Sequence, residues 1–166
     1  MNQKNLSRQA ERRNRLLREQ VHDPYKTRLK LLEPTVCPSC NAVYTKGRWH
    51  WGERPYRPHE ETCQACHRIK DDCPAGIVRL SGGFLRAHKD EIIGLIRNQE
   101  ALEKGEHPLN RIMSIAEEDG DIVIKTTDIH LPRRIGEALR SAYEGTLDYH
   151  YEEETYFLRV AWSREA

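Results

Sequence analysis

No stretch of this chain approaches the ~20 consecutive apolar residues that cross a bilayer, and its first residues lack the hydrophobic region of a secretory signal. No membrane partner is expected, and a soluble, cytoplasmic location is. Aromatic residues are scarce at 7%, and hydrophobic residues reach only 37% against 32% charged. A 166-residue chain so composed is globular but rich in surface, and it cannot close a large core. Also missing is Gly-x4-Gly-Lys-Ser/Thr, the loop that cradles nucleotide phosphates, so Gly82-Gly83 reads as a turn. His59-Glu60-Glu61 supplies a His-x-Glu of the zinc-deaminase kind. It precedes Cys63 by only four residues, however, and Thr62 stands where Pro-Cys-x2-Cys needs proline. No enzymatic activity is expected.

What the chain does have is four of its five cysteines in two pairs, Cys37-Pro-Ser-Cys40 and Cys63-Gln-Ala-Cys66, with 22 residues between them. Each pair lets two thiolates from one tight turn reach a single ion. Two turns supply the four soft ligands of a closed tetrahedral site, a spacing close to that of zinc ribbons. The expectation is one structural Zn²⁺ on Cys37, Cys40, Cys63 and Cys66, with chelation unfolding this region while the later region of the chain persists. Thiol redox chemistry is the competing reading, but it needs one Cys-x2-Cys at a helix start with a lowered thiol pKa. His50, His59 and His67 are expected at the surface or around the site, and Cys73 as a partly buried, inert thiol.

A net charge of +1 hides a polarity along the chain. Residues 1–34 carry nine Lys/Arg against four Asp/Glu, residues 35–79 seven against five, and residues 80–166 eleven against seventeen. The front is basic and the back acidic. Residues 1–22 form a helix-capable arm with no core face, either a disordered tail or a segment that orders on RNA. Between the pairs, the segment from Lys46 to His59 alternates cations with rings and prolines and reads as an exposed, semi-rigid loop. There Trp49, Trp51 and Tyr56 can stack on unpaired bases while Arg48, Arg54, Arg57, Arg68 and Lys70 engage phosphates. Alternatively the tryptophans roof the metal site.

Beyond Cys73 the pattern becomes regular. Ile77–Leu80 reads as a strand, and Leu85, Ile92, Leu95, Ile96 and Leu102 recur at helical spacing. Ile112–Ile115 and Ile122–Ile124 flank Asp119-Gly120, a hairpin signal. Pro132 near a start, Leu131, Ile135, Leu139 and Tyr143 on one face, and Gly145 after the end mark a second helix. Leu147, Tyr149 and Tyr151 alternate, as do Tyr156, Leu158, Val160 and Trp162, giving a second hairpin. The order β-α-β-β-α-β-β predicts an α+β fold with helices on one face of a mainly antiparallel sheet. The predicted division is a basic arm (1–34), a four-cysteine knuckle domain (35–75) and an α+β domain (76–166).

In Cys63-Gln-Ala-Cys66-His-Arg68, Ile77-Val-Arg79-Leu-Ser-Gly82, Gly120-Asp121-Ile122, Arg133-Arg-Ile135-Gly-Glu-Ala-Leu139 and Tyr156-Phe-Leu-Arg159, the chain resembles the Nmd-type adaptors of the large ribosomal subunit. The resemblance spans roughly residues 37–162. It is similar in the same way to a small bacterial family that carries only this front portion. Those adaptors typically have more zinc ligands than the one four-cysteine set here, and a further carboxy-terminal domain. The resemblance therefore implies binding to ribosomal RNA or a ribosomal subunit, in translation or ribosome biogenesis, and implies no export role. The alternative is a zinc-stabilised protein-interaction or regulatory module that meets a protein partner through the acidic carboxy-terminal domain.

Overall fold

The structure, a computed structural model, describes residues 23–26 and 30–166. The basic arm of residues 1–22 lies outside the described residues. Helices and two mixed sheets make the fold α+β. The front sheet has four short strands, β1 (Thr35–Val36), β2 (Val43–Thr45), β3 (Arg48–His50) and β4 (His59–Glu60), in the order β3-β2-β1-β4. Helix α1 (Gln64–Asp71) follows.

Some of the segment expected as a loop is therefore a hairpin. Lys46 (φ 52°) and Gly47 (φ 76°) both take left-handed backbone. That is the geometry of the primed two-residue turn whose twist matches paired strands. It brings Arg48 opposite Thr45 and Trp49 opposite Tyr44. The remainder, residues 51–58, carries no regular structure and links β3 to β4 at the opposite edge of the sheet.

The second sheet has five strands: β5 (Gly76–Ser81), β6 (Ile112–Glu118), β7 (Asp121–Thr126), β8 (Thr146–Glu152) and β9 (Phe157–Ser163), ordered β6-β7-β5-β9-β8. Only β5 and β9 run parallel. Three helices accompany it: α2 (Gly83–Ala87), α3 (Lys89–Glu106) and α4 (His130–Tyr143). The expected hairpin turn is present, with Asp119 at φ 52° and Gly120 at φ 84°. Alternation decides the faces. Val78 and Leu80, Ile122 and Ile124, and Leu158, Val160 and Trp162 are buried in register with one another, against Leu85, Ile92, Ile96, Leu131, Ile135 and Leu139 of the helices. Arg79, Arg159 and Ala161 point to the other, exposed face. There Arg79 pairs with Asp121 at 2.9 Å and Arg159 with Glu152 at 3.1 Å.

Two details differ from the periodicity. The single helix expected from Leu85 onward is interrupted at His88, whose φ of −124° ends α2 before α3 begins. Leu102 lies 69% exposed, and the buried position at that level of α3 is Glu103. Its two oxygens are taken by Asn110 Nδ2 at 3.0 Å and Arg134 Nε at 2.7 Å. That pairing is what permits a carboxylate inside.

Candidate metal centre

The two cysteine pairs converge. The four Sγ atoms of Cys37, Cys40, Cys63 and Cys66 lie within 4.8 Å of one another, and the group can hold a metal ion. Local backbone explains how each pair is presented. In the first, Cys37 N–H donates to the Ala42 carbonyl and Asn41 N–H to the Cys37 carbonyl, with Asn41 at φ 65°, so the chain folds back between β1 and β2. In the second, Cys63 caps α1, its sulfur accepting the Cys66 N–H at 3.4 Å. The positive end of the helix dipole thus faces the sulfurs and favours their thiolate form.

Several donors at the cluster are aimed at sulfur. Cys63 N–H reaches Cys37 Sγ at 3.3 Å, and the Arg111 guanidinium spans three sulfurs: Nη1 to Cys66 at 3.4 Å, Nη2 to Cys40 at 3.2 Å and to Cys63 at 3.5 Å. Such an environment suits deprotonated sulfur, the form that binds metal. Cys40 and Cys63 stand 3.9 Å apart, against about 3.8 Å for two sulfurs of a tetrahedron with 2.3 Å bonds. The residues present therefore fit a closed four-thiolate site.

Electrostatics divide the thiols. The thiol hydrogen bond from Cys63, with the Ala42 backbone and Arg111 adding to it against burial, brings Cys40 down to about 4. The same bond and burial push Cys63 up. Burial raises Cys66, opposed by Arg111. Burial also works against the charge of Arg111, yet the hydrogen bond to Cys66 and the neighbouring sulfurs more than offset it and hold the guanidinium protonated. The second pair does begin a helix, as a redox reading requires, but it shares its sulfurs with the first pair rather than standing alone.

The residues expected to contact RNA are distributed unevenly. Arg48 is exposed, as are Arg54, Arg57 and Lys70. Arg54 pairs with Glu60 at 2.9 Å, and Arg57 lies over the Tyr56 ring, 5.3 Å from its centroid. Tyr56 itself is 84% exposed. Trp49 is half-buried and packs on the cysteine cluster, its ring edge-on to Tyr44. Trp51 is held at the end of α3, its indole N–H donating to the Lys104 carbonyl at 2.7 Å.

Arg68 requires a correction. It is 2% exposed, pairs with Asp23 at 2.7 Å, donates to the Cys73 carbonyl at 3.0 Å and lies over the Tyr25 ring. Its charge is spent inside the protein and does not face phosphate. Cys73, expected partly buried, is exposed. Asp72 ends α1 in left-handed backbone (φ 47°), so the backbone of Cys73 bonds to Arg68 while its side chain turns outward.

Arg48, Trp49 and Gln64 line two adjoining grooves. One, of about 240 Å³, continues over Lys26, Tyr44, Glu61 and Thr62. The other, of about 260 Å³, lies where the front sheet meets the α+β region and is walled by His107, Asn110, Asp128, His130 and Tyr156. Neither Arg111 nor this second groove had a sequence signal. Arg111 is 71 residues from Cys40 and sits in an ordinary polar approach to a strand. Comparisons with family models, with characterised proteins and with solved structures find no match. Among the described residues, no helix is long and apolar enough to cross a membrane.

Proposed function

We propose that this is a non-enzymatic protein that binds RNA, most specifically ribosomal RNA or a ribosomal subunit, on a front stabilised by one structural Zn²⁺. Among the described residues, four cysteines and no other donor form the cluster, a soft set suited to zinc and, as thiolates, without an open coordination position for chemistry. The observation that carries the RNA reading is the ridge formed by Arg48 and Trp49. It borders two adjoining grooves, and the segment that follows β3 carries an exposed Tyr56–Arg57 pair. Single-stranded RNA is held by cations on its backbone and rings against its unstacked bases, roles that exposed Arg48 and exposed Tyr56 can fill here. The resemblance to adaptors of the large ribosomal subunit points the same way.

The test is binding of the full-length, zinc-loaded protein to purified ribosomal RNA over a range of salt, together with co-sedimentation with ribosomal fractions. Binding that weakens with salt along a straight log–log line supports the reading. Absence of binding at low salt and absence from ribosomal fractions overturn it.

A further inference from the structure

Arg111 reaches the sulfurs from the other half of the molecule. The bonds that fix its backbone and the base of its guanidinium belong to the α+β region: its N–H donates to Thr127 Oγ1 at 3.0 Å, its carbonyl accepts from the Thr127 N–H at 2.9 Å, and its side-chain Nε donates to the Pro108 carbonyl at 2.6 Å. Only the two terminal nitrogens cross to Cys40, Cys63 and Cys66. The residue is 7% exposed, and among the described residues no carboxylate pairs with it. A cation so desolvated needs anionic partners in good geometry. Three cysteine sulfurs are the partners supplied, and they are thiolates when a metal is bound.

We propose that Arg111 couples metal occupancy of the cysteine cluster to docking of the α+β region, so that the two occur together. A bound metal would fix all four sulfurs to one point; without it, the backbone N–H bonds and the Arg111 fork are left to hold them within 4.8 Å of one another, and the cluster can open. Once they separate, the buried guanidinium loses its partners, and the segment that carries it, residues 107–112, must move with its Thr127 anchor. That segment also supplies His107 and Asn110 to the second groove, beside Thr127 and Asp128. The state of the metal site is thereby passed to a surface outside it. The coupling is reciprocal: whatever factor docking adds to metal affinity, metal adds to docking. This replaces the expectation that chelation unfolds the front alone.

The inference rests on the cluster holding Zn²⁺, and the test separates the two. Full-length protein loaded with Zn²⁺ is compared with chelator-treated protein by hydrogen-exchange mass spectrometry, and zinc affinity is measured by chelator competition. In the natural chain, chelation is expected to raise exchange at residues 107–112 and 123–128 as well as at 35–66. Arg111→Met is expected to lower zinc affinity about 10–100-fold, the usual effect of removing a group that hydrogen-bonds to metal ligands, and to abolish the remote response. Arg111→Lys keeps the charge but has one nitrogen in place of a fork, so its affinity should fall between the two. If the natural chain shows no change at 107–112 on chelation, or Arg111→Met binds zinc as tightly as the natural chain, the coupling is refuted. Should Arg111→Met fail to fold, the exchange pattern of the natural chain decides alone. Absence of stoichiometric zinc from the natural chain refutes the metal reading itself, a distinct result.

Discussion

One carboxylate oxygen of Asp128 holds the Leu131 backbone N–H at 3.0 Å, together with that of His130 at 2.8 Å, while its other oxygen is buried and meets no partner. The first oxygen thus satisfies two of the donors that the start of α4 leaves open. Burial nonetheless dominates. Against the two backbone bonds, and with Glu103 and Asp23 as like-charged neighbours, it lifts the Asp128 carboxyl from 3.8 to about 7.

The sign of the pH dependence follows. Between these two values the folded chain keeps a proton that the unfolded chain has released, so this group's contribution to stability is full below pH ~4 and is lost as pH rises to about 7. The steepest slope is about 1.4 kcal/mol per pH unit. Asp128→Asn keeps an acceptor for the helix and removes the titration. Denaturation midpoints of variant and natural chain, measured from pH 5 to pH 8, should shift relative to one another in the variant's favour as pH rises. A difference that stays constant with pH would show that Asp128 does not titrate in this range.

Two glycines separate packing from propensity. A methyl group on Gly76 would come within 2.3 Å of Pro132 Cγ, 2.6 Å of Thr126 Oγ1 and 2.9 Å of the Asp128 carbonyl, because β5 passes directly beneath the start of α4. On Gly94, at the exposed surface of α3, a methyl group would meet nothing within 4 Å. Gly76→Ala should destabilise the chain by about 1–3 kcal/mol or more through overpacking. Gly94→Ala should stabilise it by about 0.5–1 kcal/mol. Urea denaturation of both variants checks the opposite signs.

These contrasts also show what could be read from the residues. The core of the second sheet was legible, because Ile92 and Ile96, Ile135 and Leu139, and Leu158 and Val160 repeat at the period of their own element and all reach the interior. Asp119-Gly120 was legible because its turn demands positive φ. Glu103 was not: the buried stripe of α3 ends on a carboxylate made tolerable by Arg134 and Asn110, partners that only the tertiary fold supplies. At the candidate site the four sulfurs announced themselves by spacing. Arg111 and Arg68 did not, since a charged side chain carries no mark of the anion it will meet.

The Asp23–Arg68 pair ties the turn at residues 23–26 to α1 and has both side chains nearly buried, at 10% and 2% exposure. Removing the anion alone strands a cation in the interior, at a cost of about 3–5 kcal/mol, whereas replacing both by apolar groups is often nearly neutral. Asp23→Ala should therefore be strongly destabilising, and Asp23→Ala combined with Arg68→Met should recover much of the loss. Equal destabilisation by the single and double variants in chemical denaturation would show that the pair is not desolvated in solution.

The RNA reading distinguishes residues by their exposure. Arg48 is exposed on the ridge that borders the two grooves, so Arg48→Glu should weaken binding to ribosomal RNA and flatten the log–log salt dependence by about one unit, the signature of one lost phosphate contact. Tyr56 offers the most exposed ring near it in sequence, whereas Trp49 is turned in against the cysteines. Tyr56→Ala should therefore cost about 1–3 kcal/mol of affinity for single-stranded RNA with no change of slope, as loss of one stacked base does. Trp49→Ala should act chiefly on the metal site, lowering zinc affinity. Filter binding across salt concentrations separates these outcomes. If Arg48→Glu left both affinity and slope as they were, the ridge would be cover for the cysteine cluster, and the acidic carboxy-terminal half would become the surface to test against protein partners.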